Sequence, residues 1–271
     1  MIKSINQWSL PGTLSMEQAL LAAKKAGFAG YEPAFNLEGE LSFKSHTADA
    51  KKLRALADSE GIELVSLASG LYWEYSFAHN DPAMRAKGHD ICKAQLDCAA
   101  ELGVDTILVV PGKSDESIPY DVAYNRALEG VNSLKDYAAQ AGVVIGLENV
   151  WNNFLLSPLE YRDFMDQVGS PYVGMYFDVG NVLRVGYPQH WIKILGERIK
   201  KVHIKDFNLS VGNINGFVSL LEGNVNFPAV MQAFKEIGYD GAIIAEVFCH
   251  PTQQEVFPSH TSLAMDAILA M

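Results

Sequence analysis

The chain has 271 residues, of which 49% are hydrophobic, and its 32 acidic and 21 basic side chains leave a net charge of −11. This composition excludes a disordered chain, and three cysteines exclude a disulfide scaffold. No apolar run reaches the roughly 18 residues that span a bilayer, no secretory signal opens the chain, and no basic stretch offsets the field that repels nucleic acid. We therefore expect a cytoplasmic protein that binds neither membranes nor nucleic acid.

Short apolar or β-branched runs alternate along the chain with longer segments of helical period. Each interval between runs is long enough for a crossover helix, which two parallel strands require. Eight such units predict a single domain over residues 1–271 with a closed (β/α)8 TIM barrel, rather than an open doubly wound sheet. The predicted strands are Ile2–Asn6, Ala29–Pro33, Ile62–Leu67, Thr106–Val110, Val143–Glu148, Val173–Asp178, Ile199–His203 and Ala242–Glu246.

Helix boundaries are marked by glycine and by small polar residues. A glycine before a strand is typical of a left-handed helix C-cap, because it has no Cβ to clash there. Five glycines hold this position: Gly27, Gly61, Gly103, Gly142 and Gly238. Helix N-caps are predicted at Ser15, Thr47 and Ser157, with Pro158 in the first turn of its helix.

The last four predicted strands each end on a side chain that can bind a metal, namely Glu148, Asp178, His203 and Glu246. One such residue alone is equally compatible with a structural ion pair. Three carboxylates at one end of a barrel would repel each other by several kcal/mol unless a cation neutralised them, and Lys205 can serve only one side. An oxygen-rich set with one imidazole suits Mn²⁺, Mg²⁺ or Co²⁺. The cysteines lack metal-binding spacing, so Cys92 and Cys98 are predicted to lie in the core.

Five segments in this order resemble the sugar phosphate isomerase/epimerase family: GLENV (146–150), YFDVGN (176–181), KVHIKD (201–206), EGNVNF (222–227) and IAEVF (244–248). That family has the xylose isomerase-like barrel and includes ketose 3-epimerases and L-xylulose-5-phosphate 3-epimerases. The resemblance implies an isomerase of carbohydrate metabolism that acts on a sugar or sugar phosphate. It also implies one divalent ion, first of all Mn²⁺ with Mg²⁺, Co²⁺ or Zn²⁺ as alternatives, bound by Glu148, Asp178, His203 and Glu246, with Glu148 and Glu246 as the acid/base pair.

The physical chemistry agrees with this assignment. A metal that chelates a ketone oxygen and the adjacent hydroxyl stabilises the enediolate formed when the carbon that bears this hydroxyl loses its proton. Inversion at that carbon needs a base on each face, and the fifth and eighth strands place Glu148 and Glu246 across the barrel mouth with pKa values shifted in opposite directions. Two alternatives stay open: a lyase of the inosose dehydratase type, and a sugar-binding barrel without turnover.

Other polar residues near the strand ends are predicted to bind substrate: Asn181, Lys205, Glu32, Asn149 and His250. Trp73 and Trp151 are compatible either with a wall for the sugar or with ordinary loop packing. Related apurinic endonucleases carry a histidine where this chain has Asn181, which argues against DNA repair. Phosphorylation of the substrate is left open, and a homo-oligomer is compatible with the fold.

Overall fold

The protein is described by a computed structural model that covers residues 1–249 and 252–271. Eight parallel strands form one sheet in the order β3-β2-β1-β10-β7-β6-β5-β4, and a short antiparallel hairpin, β8 and β9, follows β7. The strands are β1 Ile2–Asn6, β2 Gly30–Glu32, β3 Glu63–Leu64, β4 Thr106–Val109, β5 Val144–Glu148, β6 Val173–Asp178, β7 Ile199–Ile204, β8 Asp206–Phe207, β9 Phe217–Val218 and β10 Ala242–Ala245.

The sheet closes into a ring between the segment after β3 and strand β4. The Leu67 amide donates to the Thr106 carbonyl at 3.1 Å, and the Leu108 amide donates to the Leu67 carbonyl at 3.0 Å. The buried Gln95 amide also donates to the Leu67 carbonyl at 2.9 Å and accepts a hydrogen bond from the Tyr72 hydroxyl. The predicted (β/α)8 barrel is confirmed, and its β3–β4 seam depends partly on a helix side chain.

The strand bounds follow the hydrophobic pattern closely at some positions and less closely at others. The bounds of β1 and β6 are those predicted, whereas the predicted strand Ile62–Leu67 pairs regularly only over Glu63–Leu64. Beyond Leu64 the backbone continues toward β4 through the isolated bridge described above. A hydrophobic run predicts that a segment is buried, but it does not predict over how many residues the segment forms regular hydrogen bonds with a neighbouring strand.

Helices connect the strands around the outside of the ring, as the alternation predicts. Short 3-10 turns and the loops at the carboxyl ends of the strands complete the chain. The helices are α1 Met16–Lys25, α2 Thr47–Glu60, α3 Pro82–Leu102, α4 Tyr120–Ala141, α5 Pro158–Val168, α6 Val179–Val182, α7 Pro188–Leu195, α8 Phe227–Glu236 and α9 Phe257–Leu269.

The predicted helix boundaries are mostly confirmed. All five pre-strand glycines have positive φ. The hydroxyls of Ser15 and Ser157 accept hydrogen bonds from backbone amides three residues later, and Pro158 occupies the first turn of α5. The predicted cap at Thr47 is wrong, because Thr47 is the first residue of α2 and His46 precedes it without a side-chain capping bond.

The core lies between the ring and the helices, where aliphatic and aromatic side chains from both layers are buried. Cys92 and Cys98 are fully buried on α3, as predicted for core residues. Across the described parts of the chain, we find no helix with the length and apolar character required to cross a bilayer. The strands thus hold their carboxyl ends at one face of a packed barrel, where the predicted site residues lie.

Candidate metal centre and active site

Four strands bring their terminal acidic and imidazole side chains to one point. Glu148 and Asp178 end β5 and β6, His203 lies near the end of β7, and Glu246 directly follows β10. One ligand atom from each of the four lies within 4.8 Å of the others, and we call these residues the ligand cluster. Parallel register aligns the strand ends, since Asp178 pairs with His203 across β6 and β7.

His203 presents a different ring nitrogen to each side of its environment. Its Nε2 lies 2.7 Å from Glu32, and its Nδ1 faces the cluster, 3.1 Å from Glu148 and 2.7 Å from Glu246. Glu32 is completely buried and is also hydrogen-bonded by Asn6 at 2.6 Å. A carboxylate on Nε2 favours the tautomer in which Nδ1 carries the lone pair, which is the form that binds a metal.

Asp178 is oriented by the polypeptide immediately around it. Its Oδ1 caps the short helix α6 by accepting from the Asn181 amide at 2.7 Å, which leaves Oδ2 turned to the cluster. The Asn149 side chain pairs with the Asp178 backbone on both sides, donating to its carbonyl and accepting from its amide at 2.8 Å each. Asn149 and Asn181 therefore fix the carboxylate of Asp178 in place.

Lys205 is the cation nearest to the cluster. Its ammonium lies 2.9 Å from Asp178 Oδ2 and 2.7 Å from Glu246 Oε2. Both carboxylate oxygens are buried, so these ion pairs are shielded from solvent. The expectation that Lys205 serves only one side is therefore wrong, since it pairs with carboxylates from the strands on both sides of β7. Its single charge still faces the three carboxylates of the cluster.

The surroundings push the pKa values of the two cluster glutamates apart. Burial raises the pKa of Glu148 to about 7, against the opposing effect of His203. Burial also raises the pKa of Glu246, but Lys205 and His203 outweigh it and hold that pKa below its ordinary value. The predicted opposite shifts are confirmed in direction, although their causes are burial and neighbouring cations.

A cavity of about 330 Å³ opens above the cluster and is large enough for a small molecule. Glu148, Glu246, Lys205 and Asn181 reach its polar floor. Trp73 and Trp151 form part of its apolar wall, and Trp151 also packs against Phe207 in β8. The arrangement combines a polar floor with aromatic walls, which is compatible with a ligand that has both polar and apolar faces.

The predicted substrate residues occupy different kinds of positions. Lys205 and Asn181 line the cavity. Glu32 does not fit the predicted substrate contact, because it has no exposed surface and acts through His203. The side-chain amide of Asn149 is used by the Asp178 backbone, so it positions a ligand rather than a substrate. His250 lies outside the described residues.

Sequence reasoning missed the residues that hold Glu32. The Tyr176 hydroxyl donates to Glu32, and the Ser66 hydroxyl donates to it at 2.5 Å. Tyr176 precedes Asp178 by two residues in β6, so strand alternation puts both side chains on the same face of the sheet. That spacing was a usable signal for Tyr176. Ser66, like Asn6 and Glu32, lies near the end of one of the first three predicted strands, which was the available signal for its contact with Glu32.

The xylose isomerase-like TIM barrel family model matches residues 20–266, so the chain belongs to that family. A putative L-ribulose-5-phosphate 3-epimerase of Escherichia coli is 24% identical over 93% of this chain and 90% of its own length. A 2-epi-5-epi-valiolone 7-phosphate 2-epimerase of Actinoplanes is 26% identical over 74% of this chain and 71% of its own. An inosose dehydratase of Geobacillus thermodenitrificans is 22% identical over 88% of this chain and 83% of its own length.

Among solved structures, D-psicose 3-epimerase from Clostridium cellulolyticum superposes with a TM-score of 0.82 over 99% of both chains, at 17% identity. This likeness confirms the fold. The predicted resemblance to sugar isomerases and epimerases is confirmed, and the names of the epimerase relatives agree with the predicted isomerase class of enzyme.

Proposed function

We propose that this protein is a divalent-metal-dependent epimerase or isomerase of a ketose or ketose phosphate, which moves a proton by means of Glu148 and Glu246. The observation that carries the proposal is the convergence of four ligand atoms within 4.8 Å beneath a cavity. Epimerases among the relatives support the reaction class.

The residues present fit a divalent cation. Three carboxylates and one imidazole form the oxygen-rich donor set that Mn²⁺ and Mg²⁺ accept. The buried oxygens Asp178 Oδ2 and Glu246 Oε2 already face a cation, the Lys205 ammonium, which suits atoms that bind a positive charge. Glu148, Asp178, Glu246 and His203 Nδ1 would hold the ion. When bound, it would stabilise the negative charge that develops on a ketone oxygen as the neighbouring carbon is deprotonated.

The two glutamates have complementary roles in this proposal. Glu246 has a lowered pKa and is ionised at neutral pH, as a base that accepts a proton must be. Glu148 has a pKa of about 7 in the metal-free site, so it exchanges a proton readily near neutral pH. They lie on the two sides of His203 Nδ1, so a substrate carbon between them would meet a carboxyl group on each face.

The proposal is tested by exchange with solvent. Metal-free protein, with and without added Mn²⁺, is incubated with ketoses and their phosphates in D₂O, and NMR follows epimerisation and deuterium at the carbon beside the ketone. We expect turnover only with metal and one deuterium at the inverted carbon. Glu148→Gln and Glu246→Gln should each lower the inversion rate about 10²- to 10⁴-fold. If one variant incorporates deuterium at this carbon without inverting it, the remaining glutamate removes and returns the proton on the same face of the substrate.

Glu63→Gln is the control, since Glu63 is exposed at the other end of the barrel sheet and should leave the rate unchanged. Turnover that persists in a chelator, or inversion at the wild-type rate in either cluster variant, would show the proposal to be wrong.

A dehydratase is the second candidate, favoured by the relative named inosose dehydratase. Deprotonation beside a ketone is common to both reactions, but a lyase then expels a hydroxyl from the next carbon. Mass spectrometry of the products separates them, because only the lyase product lacks one water. An unchanged product mass together with inversion supports the epimerase.

A further inference from the structure

A second, smaller cavity of about 190 Å³ lies beside the cavity above the ligand cluster. The two share a wall formed by Val150, Trp151, Asn181 and Arg184. None of the four cluster residues lines the second cavity, and aliphatic side chains form much of its surface. Because Arg184 lines both cavities, a ligand whose reactive end lies over the cluster can reach its guanidinium.

Arg184 is the one guanidinium among the described residues that line the two cavities. The other cation, Lys205, is occupied by Asp178 and Glu246. Within residues 1–249 and 252–271, Arg184 has no ion pair with any acidic side chain, which sets it apart from the paired Arg54, Arg162 and Arg198. Its charge is thus available to a ligand.

The guanidinium is held in place without using its hydrogen-bond donors. It lies over the Trp151 ring, 4.9 Å from the ring centroid. Trp151 is itself fixed, because its indole N–H donates to the Asn181 carbonyl at 3.0 Å and its ring packs edge-on against Phe207 at 5.2 Å. A planar guanidinium on a rigid aromatic platform presents its fork of donors to an anion with little loss of entropy.

An anionic substrate needs such a cation here. The cluster contributes three carboxylates and the chain carries a net charge of −11. A phosphate monoester bears about −1.5 to −2 charges at neutral pH and would be repelled unless a positive group received it away from the carboxylates.

We propose that Arg184 binds the phosphate monoester of a ketose phosphate whose sugar end lies over the ligand cluster, an inference that rests on the proposed function. Arginine matches a phosphate with two parallel hydrogen bonds, which adds geometric selectivity to charge. Two of the relatives are named for phosphorylated substrates, which favours phosphate over other anions.

The test compares L-ribulose 5-phosphate with L-ribulose on the metal-loaded protein. We expect Arg184→Met to raise the KM for the phosphorylated ketose about 10- to 100-fold, as expected for hydrogen bonds to charged groups, and to leave kcat/KM for the free ketose within about twofold. Arg184→Lys should restore part of the loss, because it keeps the charge but not the fork. Arg162→Met, which removes an exposed arginine paired with Asp163, should change neither.

Calorimetric binding of the same two ligands makes this inference separable from the proposed function. Tighter binding of the phosphate ester that disappears in Arg184→Met supports it even if no ketose is turned over, in which case the proposed function alone fails. The inference about Arg184 would be overturned if Arg184→Met lost the same affinity for both ligands. It would also be overturned if the wild type bound the phosphate ester no more tightly than the free ketose.

Discussion

The two ring nitrogens of His203 have separate partners, and this division determines what the residue can do. Nε2 faces Glu32 at 2.7 Å, while Nδ1 faces the cluster carboxylates. Glu32 is itself hydrogen-bonded by Asn6, Ser66 and Tyr176. This buried network fixes the ring so that its second nitrogen remains available to a metal.

We predict that Glu32→Gln weakens Mn²⁺ binding about 10- to 100-fold, the usual cost of losing the partner of a ligating histidine. The amide keeps the size of the side chain but removes the charge that sets the tautomer of His203. Titration of metal-free protein with Mn²⁺ measures the change, with the exposed Glu63→Gln as the matched control. An unchanged affinity in Glu32→Gln would mean that the carboxylate does not act through the imidazole.

A second prediction concerns proton release on metal binding. Burial raises the pKa of Glu148 to about 7, so below that pH the metal must displace a proton from this carboxyl. Below pH 7 this proton should add about a tenfold rise in the apparent Mn²⁺ affinity per pH unit. The surrounding carboxylates also raise the pKa of His203, so release of its proton should make the affinity keep rising above pH 7. Dissociation constants measured between pH 5.5 and 8.5 test this. In Glu148→Gln, the logarithm of the affinity should rise less steeply with pH below 7. An equally steep rise in that variant would contradict the release of a proton from Glu148.

At the scale of elements, the segment after β6 packs against the segment after β7 without space for another atom. A Cβ on Gly180 would lie 2.5 Å from Lys205 Cβ and 3.1 Å from the Lys205 carbonyl carbon. The close approach places the backbone of α6 beside Lys205, whose ammonium lies near Asp178 and Glu246. The short helix and the strand end therefore position each other.

We predict that Gly180→Ala lowers kcat/KM by at least about tenfold while the fold is retained, because displacing Lys205 moves its charge within the site. Gly12→Ala is the control, since no atom lies within 4 Å of the added Cβ at that position. Circular dichroism checks the fold and steady-state kinetics the activity. Wild-type kinetics in Gly180→Ala would show that the contact with Lys205 does not matter.

At the scale of the whole molecule, closure of the barrel depends on the junction between the segment after β3 and strand β4, where backbone hydrogen bonds between strands are few. The Leu67 carbonyl accepts from the Leu108 amide and from the Gln95 side chain, and Gln95 accepts from the Tyr72 hydroxyl. Gln95 is completely buried on α3. An outer helix thus satisfies backbone groups that a longer β3 would have paired itself.

We predict that Gln95→Leu lowers the free energy of unfolding by about 1–3 kcal/mol, because it leaves buried polar groups without partners. The exposed Gln232→Leu loses only a surface hydrogen bond to Glu236 and should stay within about 0.5 kcal/mol of the wild type. Denaturant unfolding of metal-free protein measures both. A Gln95→Leu protein as stable as the control would show that β3 and β4 close the ring unaided.

The barrel could be predicted from the sequence because its signals are local. Alternating hydrophobic runs, helical spacing and glycines such as Gly103 report the conformation of their own segments. The ligand cluster could also be predicted, since parallel strands put their carboxyl ends on one face, so residues such as Asp178 and His203 meet wherever the barrel closes. The exact length of β3 could not be predicted, because the extent of regular hydrogen bonding in a strand depends on its partner strand.

The sequence by itself determined which side chains stand at the strand ends and therefore which chemistry the barrel mouth can perform. Only the tertiary structure decided what each of them does there. Glu32 holds His203 because contacts across the ring bury it completely, and Arg184 faces the cavity unpaired because no acidic side chain of the described residues lies against it. Such roles depend on distances between residues far apart in the chain, and periodicity within one segment carries no information about those distances.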